Sequence, residues 1–307
     1  MKPPTRRSRS VHASEVPTST GAIAAGSVRS RAAVAPVLVG TALAWTDRDL
    51  RVGGFIAALV GAIFIQVGTN LSNDYSDARR GADAEDRLGP VRVTAGGLVP
   101  PRQVLVATYV SFGAAVLCGV YLVYLAGPIL LAIGAASILA GVLYTGGPRP
   151  YGYEGLGEVF VFAFFGIVAV SGSYYVQAEK VTWEAFVLAV PVGLLASSIL
   201  VVNNVRDLET DRRAGKRTLA VRLGRQRART LYALMVYGAF LTAPAPWVAG
   251  RLSAWLLLPL ALLPAAFVLT RIVREHTDGP TLNLALARTG MLQLGFCILL
   301  SAGLLLS

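Results

Sequence analysis

Two short clusters of carboxamides and carboxylates hold most of the chemistry legible in this chain. The first reads Asn70-Leu-Ser-Asn73-Asp74-Tyr75-Ser-Asp77, and the second reads Asn203-Asn204-Val-Arg206-Asp207-Leu-Glu-Thr-Asp211. Asn70, Asp74 and Asp77 recur at helical spacing, as do Asn203, Asp207 and Asp211, so each set is predicted to line one face of a helix. Two such faces brought together make a strongly acidic pocket. Oxygen ligands with no His or Cys nearby are hard donors of the kind that select magnesium. Magnesium keeps few protein ligands and bridges to substrate phosphates. The basic residues beside the clusters, Arg79, Arg80, Lys216, Arg217 and Arg222, suit a diphosphate better than a bare cation. The clusters also echo each other at an offset of 133 residues, with Asn70, Asp74, Arg79 and Arg80 mapping onto Asn203, Asp207, Arg212 and Arg213.

A third stretch, Tyr144-Thr-Gly-Gly-Pro-Arg149-Pro-Tyr151-Gly-Tyr153 followed by Gly155-Leu-Gly-Glu158, has the glycines and prolines of a tight connection. Tyr144 and Arg149 are candidates to face the pocket, the ring offering its π face to a developing carbocation. Tyr151 and Tyr153 read equally well as aromatic residues at a membrane interface. Solvation alone is the competing account of the charges: the acids would cap helix ends beside their own arginines. Arg225, Arg227 and Arg229 read as an anchor on anionic lipid.

The elements that must carry these residues follow from composition. Of 307 residues, 54% are hydrophobic and only 15% charged, with mean hydropathy +0.60. Soluble domains carry roughly 25% charged residues, so most of this chain is predicted to face lipid or protein. Nine apolar segments are long enough to cross a bilayer: 28–46, 53–73, 104–125, 127–145, 156–178, 184–205, 229–249, 253–273 and 286–306. The fold class expected is therefore all-α, a polytopic membrane protein of about nine helices in one bundle. Residues 1–27, polar and basic, read as a disordered tail, and 28–307 as the membrane domain. Of the 28 Lys and Arg, 24 fall on the side of the amino terminus and the two clusters. That asymmetry places the amino terminus and these loops in the cytoplasm and the carboxyl terminus outside. It also accounts for the net charge of +11 without nucleic acid. Two cysteines, Cys118 and Cys297, exclude a disulfide scaffold, and His12 and His276 lie too far apart in sequence to suggest zinc. A cation-coupled transporter would place its acids in mid-helix, whereas these lie where helices leave the membrane.

Together the paired clusters, the Gly-Gly-Pro-Arg-Pro-Tyr loop and the polytopic layout resemble the UbiA superfamily of intramembrane prenyltransferases over residues 28–306. The run Asn70 to Asp83 followed by Gly89-Pro-Val-Arg92, the loop 144–158, and Asn203 to Gly224 are most similar to the branch that prenylates 1,4-dihydroxy-2-naphthoate for menaquinone. Where the family often has Arg-Pro-Arg-Thr at the first span, this chain has Arg29-Ser-Arg31-Ala. The resemblance implies a cell-membrane enzyme that takes a polyprenyl diphosphate and a small aromatic acid. It implies Mg2+ held by Asp74, Asp77, Asp207 and Asp211, with Asp83 as a further ligand or base. Asn70, Asn73 and Asn203 assist, and Lys216 and Arg222 add positive charge. Arg79, Tyr144, Arg149 and Arg206 complete the expected substrate contacts. Sister enzymes using 4-hydroxybenzoate or homogentisate share the metal chemistry and stand as the alternative acceptors.

Overall fold

The structure, a computed structural model, describes residues 19–81, 88, 89 and 92–307, and for 19–31 the backbone only. The described residues form helices and no strands. In chain order these are α1 (Ser19–Thr46), α2 (Val52–Arg79), α3 (Pro101–Ala126), α4 (Ile129–Leu143), α5 (Gly157–Val161), a π-helical segment (Phe162–Val168), α6 (Ala169–Ala178), α7 (Trp183–Arg206), α8 (Leu208–Arg213), α9 (Leu219–Leu223), α10 (Arg225–Thr242), α11 (Ala245–Val248), a 3-10 segment (Ala254–Leu262), α12 (Leu263–Glu275) and α13 (Gly279–Leu305).

Each of the nine apolar segments coincides with helix. Among the described residues, seven helical stretches are long and apolar enough to cross a membrane, and two, Ala32–Thr46 and Ile129–Leu143, are shorter. The fifteen residues of α4 rise about 22 Å, less than the ~30 Å of a hydrocarbon core. The helices start where local chemistry favours it. Pro101 sits in the first turn of α3, where its missing N–H costs nothing, and Asp278 caps α13 by accepting from the Thr281 amide at 2.9 Å.

The packed core lies on one side of the bundle. Its most enclosed helix is α7, two thirds of whose apolar stretch is buried. It packs against α10, the π-helical segment, α13 and α6, while α1 packs on α13 and α6. Leu188, Leu195, Val202, Tyr232, Phe296 and Leu300 fill the spaces between them. One crossing is especially close. A Cβ on Gly166 would lie 2.7 Å from Gly193 Cα, so only glycine at both positions lets the π-helical segment lie on α7. The other side, formed by α2, α3 and α4, meets the rest where α2 packs on α1 and α6 and at a small apolar cluster of Ala126, Leu130 and Val176. Between the two sides lies a cavity.

Candidate active site

The cavity has a volume of about 1070 Å³ and is lined from α1, α2, α3, α4, the π-helical segment, α7 and α13. At one end its wall is polar, with Asn73, Asp77, Asn203, Asp207, Asp211 and Lys216 among its residues. The remainder is mostly apolar, and it includes Val116 and Val120 of α3 and Leu131 of α4, which are also exposed on the outer surface. The passage therefore runs from a charged head toward the lipid-facing side of α3 and α4.

The first cluster stands on the last three turns of α2, as its spacing requires. Asp77 is almost wholly buried (1% exposed). Its Oδ2 accepts from Arg92 Nη2 at 2.7 Å, its Oδ1 from the Tyr153 hydroxyl at 2.5 Å, and Lys216 Nζ lies 3.8 Å from Oδ2. Such enclosure is tolerable for an ionised carboxylate only because cations and a hydroxyl surround it. Asp74 is placed differently. Its two oxygens accept the backbone N–H groups of Val93 and Thr94, each at 2.9 Å, and it is absent from the cavity wall. It fixes the turn 92–99, which in turn delivers Arg92 to Asp77. Asn73 accepts from Thr145 Oγ1 at 2.9 Å, and Asn70 from Gln66 Nε2 at 3.2 Å.

The second cluster is not one uninterrupted helix. α7 ends at Arg206, and Asp207 sits between α7 and α8 with φ −90° and ψ 7°. The Asp211 amide still donates to the Asp207 carbonyl at 2.8 Å, so Asp211 keeps its place one turn on. Arg206 is buried and grips Asp207 through both oxygens, Nε to Oδ1 at 2.8 Å and Nη2 to Oδ2 at 2.5 Å. The same guanidinium donates to Asn203 Oδ1 at 2.9 Å and to Asn283 Oδ1 of α13 at 2.6 Å. Lys216 Nζ, 3.9 Å from Asp211, joins the two clusters and lies 4.8 Å from the centre of the Tyr153 ring. Among the described residues no three acidic, His or Cys side chains are gathered as a ready metal site; each acid is met by an internal cation, hydroxyl or amide instead.

The loop after α4 closes this end. Gly155, at φ +71°, makes a turn that L residues rarely adopt, and a Cβ there would press within 3.1 Å of Arg217 and Arg222. Tyr151 stacks on Phe160 with centroids 4.0 Å apart and meets Tyr144 edge-on at 5.5 Å; all three line the cavity. Burial holds the phenol of Tyr151, in the loop, well above its ordinary value, so it stays neutral.

A model of the UbiA prenyltransferase family matches residues 33–300. The chain belongs to the UbiA prenyltransferase family. Among similar proteins, the 1,4-dihydroxy-2-naphthoate octaprenyltransferase of Mycobacterium leprae is 42% identical over 90% of this chain and 92% of its own. The enzyme of the same name from Escherichia coli is 36% identical, over 84% and 85%. In fold, the chain is similar to a UbiA homolog from Aeropyrum pernix (TM-score 0.67, 15% identity, 90% of this chain and 97% of that one). It is also similar to a UbiA homolog from Archaeoglobus fulgidus bound to GPP and Mg2+ (TM-score 0.63, 13% identity, 92% and 97%). Family and helices together make it a multi-pass membrane prenyltransferase.

Within this UbiA bundle the residues expected from sequence separate into three groups. Asn70, Asn73, Asp77, Tyr144, Asn203, Asp207, Asp211 and Lys216 meet at the cavity, and Arg206 braces it from behind. Asp74 supports it through the 92–99 turn. Arg79, Arg149 and Arg222 do not reach it. Arg79 lies over the Tyr75 ring, 5.8 Å from its centre, Arg149 is exposed, and Arg222 binds Glu154 at 3.0 Å and the Arg217 carbonyl at 3.1 Å. Asp83 lies outside the described residues, as do the side chains of Arg29 and Arg31. Of the three arginines read as a lipid anchor, Arg225 donates to the Val205 carbonyl at 2.9 Å and Arg229 to that of His276, so these two also tie helix ends together. Sequence reading missed Arg92, Tyr153 and Asn283 as site residues. Arg92 was signalled only as part of the Gly89–Arg92 run, Tyr153 was masked by its interfacial appearance, and Asn283 had no local signal at all.

Proposed function

We propose that this UbiA-family protein transfers a polyprenyl group from a polyprenyl diphosphate to 1,4-dihydroxy-2-naphthoate with loss of carbon dioxide, giving demethylmenaquinol. The observation that carries the reading is a single cavity with a charged head at two acidic clusters and an apolar passage that reaches exposed residues of α3 and α4. Such a shape suits a donor with a diphosphate at one end and a lipid-like chain at the other. The acceptor is supported by the names of the relatives that match this chain almost end to end.

The donor set at the head consists of hard oxygens, which fits Mg2+. Asp77, Asp207 and Asp211 are the carboxylates on the cavity wall that would hold it, with Asn70, Asn73 and Asn203 beside them. Bound there, Mg2+ supplies positive charge against the departing diphosphate. The chain's own cations do similar work. Lys216 and Arg92, now on Asp77, are within reach of a diphosphate placed at the head, and their release leaves Asp77 free. Asp74 keeps Arg92 in position from outside the cavity.

The chemistry balances without a ring base. The bond between donor C1 and the diphosphate oxygen breaks, and the diphosphate leaves with the electron pair. The ring carbon bearing the carboxylate forms a bond to C1, and the carboxylate bond returns its pair to the ring as carbon dioxide departs. No ring hydrogen is lost. The aromatic wall of Tyr144, Tyr151 and Phe160 flanks the passage just inside the charged head, where it faces an allylic cation and keeps water away. The charged head belongs on the cytoplasmic side of the cell membrane, with the carboxyl terminus outside, as the Lys/Arg asymmetry supports.

The test uses purified protein in detergent with Mg2+, an all-trans polyprenyl diphosphate and, in parallel, dihydroxynaphthoate, 4-hydroxybenzoate and homogentisate. Prenylated naphthol with carbon dioxide, absent with chelator, is the expected result. Product from another acceptor moves the substrate assignment, and none from any of them overturns the reading.

A further inference from the structure

Glu158 is a buried carboxylate that the chemistry above leaves without a task. It lies in the first turn of α5 and is only 3% exposed. Its Oε1 accepts from Asn204 Nδ2 at 2.9 Å, and its Oε2 has no hydrogen-bond partner among the described residues. Its backbone carbonyl accepts from Ser197 Oγ at 3.0 Å, which already fastens α5 to α7. A helix N-terminus favours a negative charge, yet an enclosed acid with one open oxygen is still costly to keep. Its effect on its partner supplies a reason to keep it. A carboxylate offers acceptors only, so Asn204 must turn its NH2 toward Glu158 and its carbonyl away.

Asn204 is on the cavity wall. It precedes Asp207 by three residues along α7, which sets it about 4.5 Å deeper in the bundle. That depth is significant because donor C1 is bonded to the diphosphate itself. The ring that attacks C1 must therefore lie just inside the charged head, at the level of Asn204 and Tyr144. Tyr144 flanks the start of α5 there, since a Cβ on Gly157 would lie 3.4 Å from its hydroxyl. The level thus offers a flat aromatic wall and a carbonyl oxygen held in one orientation.

We propose that Glu158 and Asn204 recognise the aromatic acceptor, the Asn204 carbonyl accepting a hydrogen bond from one ring hydroxyl. Glu158 is a positioning residue that fixes the Asn204 amide and does not touch the substrate. The assignment rests on the dihydroxynaphthoate reading and adds to it a source of selectivity. An acceptor lacking the read hydroxyl leaves a buried carbonyl unpaired, which sites of this kind reject strongly.

The experiment measures inhibition constants of 1-hydroxy-2-naphthoate and 4-hydroxy-2-naphthoate against dihydroxynaphthoate turnover, together with KM for acceptor and donor. In the wild-type enzyme one analogue should bind about tenfold more weakly than the other. Asn204→Ala should remove that preference and raise the acceptor KM about tenfold while moving the donor KM less than twofold. Glu158→Gln, which lets the amide turn, should raise the acceptor KM similarly, and the double variant should be no worse than Asn204→Ala alone. Equal binding of the two analogues by the wild type overturns the proposal even if no variant folds. So do effects of the two substitutions that multiply, or a donor KM that moves with the acceptor KM. If the wild type makes no product from dihydroxynaphthoate, the underlying reading falls and the pair with it.

Discussion

The Tyr153 hydroxyl donates to Asp77 Oδ1 at 2.5 Å, joining the loop after α4 to the end of α2, while the face of the same ring carries Lys216 at 4.8 Å. One side chain therefore aligns an acid of the first cluster with the cation that reaches the second. Tyr153→Phe keeps the ring and removes the hydrogen bond. Because the bond lost is to a charged group, worth about 1.5–3 kcal/mol, kcat/KM for the donor should fall about tenfold or more. Tyr153→Leu, which also removes the surface under Lys216, should fall further. Equal activity of Tyr153→Phe and wild type would show that the contact does not position Asp77.

Asp74 and Asp77 are three residues apart, yet they should fail in different ways. Asp74→Asn turns an NH2 toward the amides of Val93 or Thr94, so the 92–99 turn should loosen. Hydrogen exchange at those two amides should accelerate, with activity lost alongside. Asp77→Asn should leave the exchange unchanged and still reduce turnover at least a hundredfold. Protection unaltered in Asp74→Asn would remove the anchoring role.

The arginines outside the cavity should matter little to catalysis. Arg149→Ala and Arg79→Ala should each retain more than a third of wild-type kcat/KM. Arg222→Ala should also retain most activity, since its partner Glu154 and the guanidinium are both exposed and such pairs contribute at most ~1 kcal/mol. A hundredfold loss in any of the three would return that residue to the site.

Gly193→Val tests the helix crossing. A Cβ there would stand 2.9 Å from the Phe162 carbonyl oxygen and 3.1 Å from Gly166 Cα, both backbone and unable to give way cheaply. Overpacking of this kind costs about 1–3 kcal/mol. The apparent melting temperature in detergent should drop by several degrees, with donor KM in the surviving fraction nearly unchanged. An unaltered melting curve would mean that the crossing relaxes freely.

The parts of this architecture that were legible are those governed by periodicity and local spacing. The nine apolar stretches all fell on helix, though only seven among the described residues are long enough to span, and the i, i+3, i+4 pattern put Asp77, Asp207 and Asp211 at one cavity. Helical spacing cannot tell a carboxylate that faces the cavity from one a turn away that faces a loop, so Asp74 was grouped with Asp77. The connection that occupies Asp74 folds back from Val93 and Thr94, and nothing in the sequence near Asp74 announces it. The arginines were hard to place for a related reason. Charged loops lack the periodicity that assigns a face, so Arg222 was counted toward the diphosphate while its guanidinium binds Glu154. Asn283 shows the far limit: its partner Arg206 is 77 residues earlier.

The π-helical segment from Phe162 to Val168 has a consequence for how this chain tolerates change. Segments of this kind commonly arise where a helix absorbs one surplus residue as a local widening. Removing a single residue elsewhere in a membrane-length helix rotates everything beyond it by about 100°, scrambling which side chains face lipid. Removing one between Phe162 and Val168 instead lets the widened turn close into ordinary helix, leaving the phase on both sides intact. This stretch is therefore the natural place for length variation within the bundle, provided that Gly166 stays opposite Gly193.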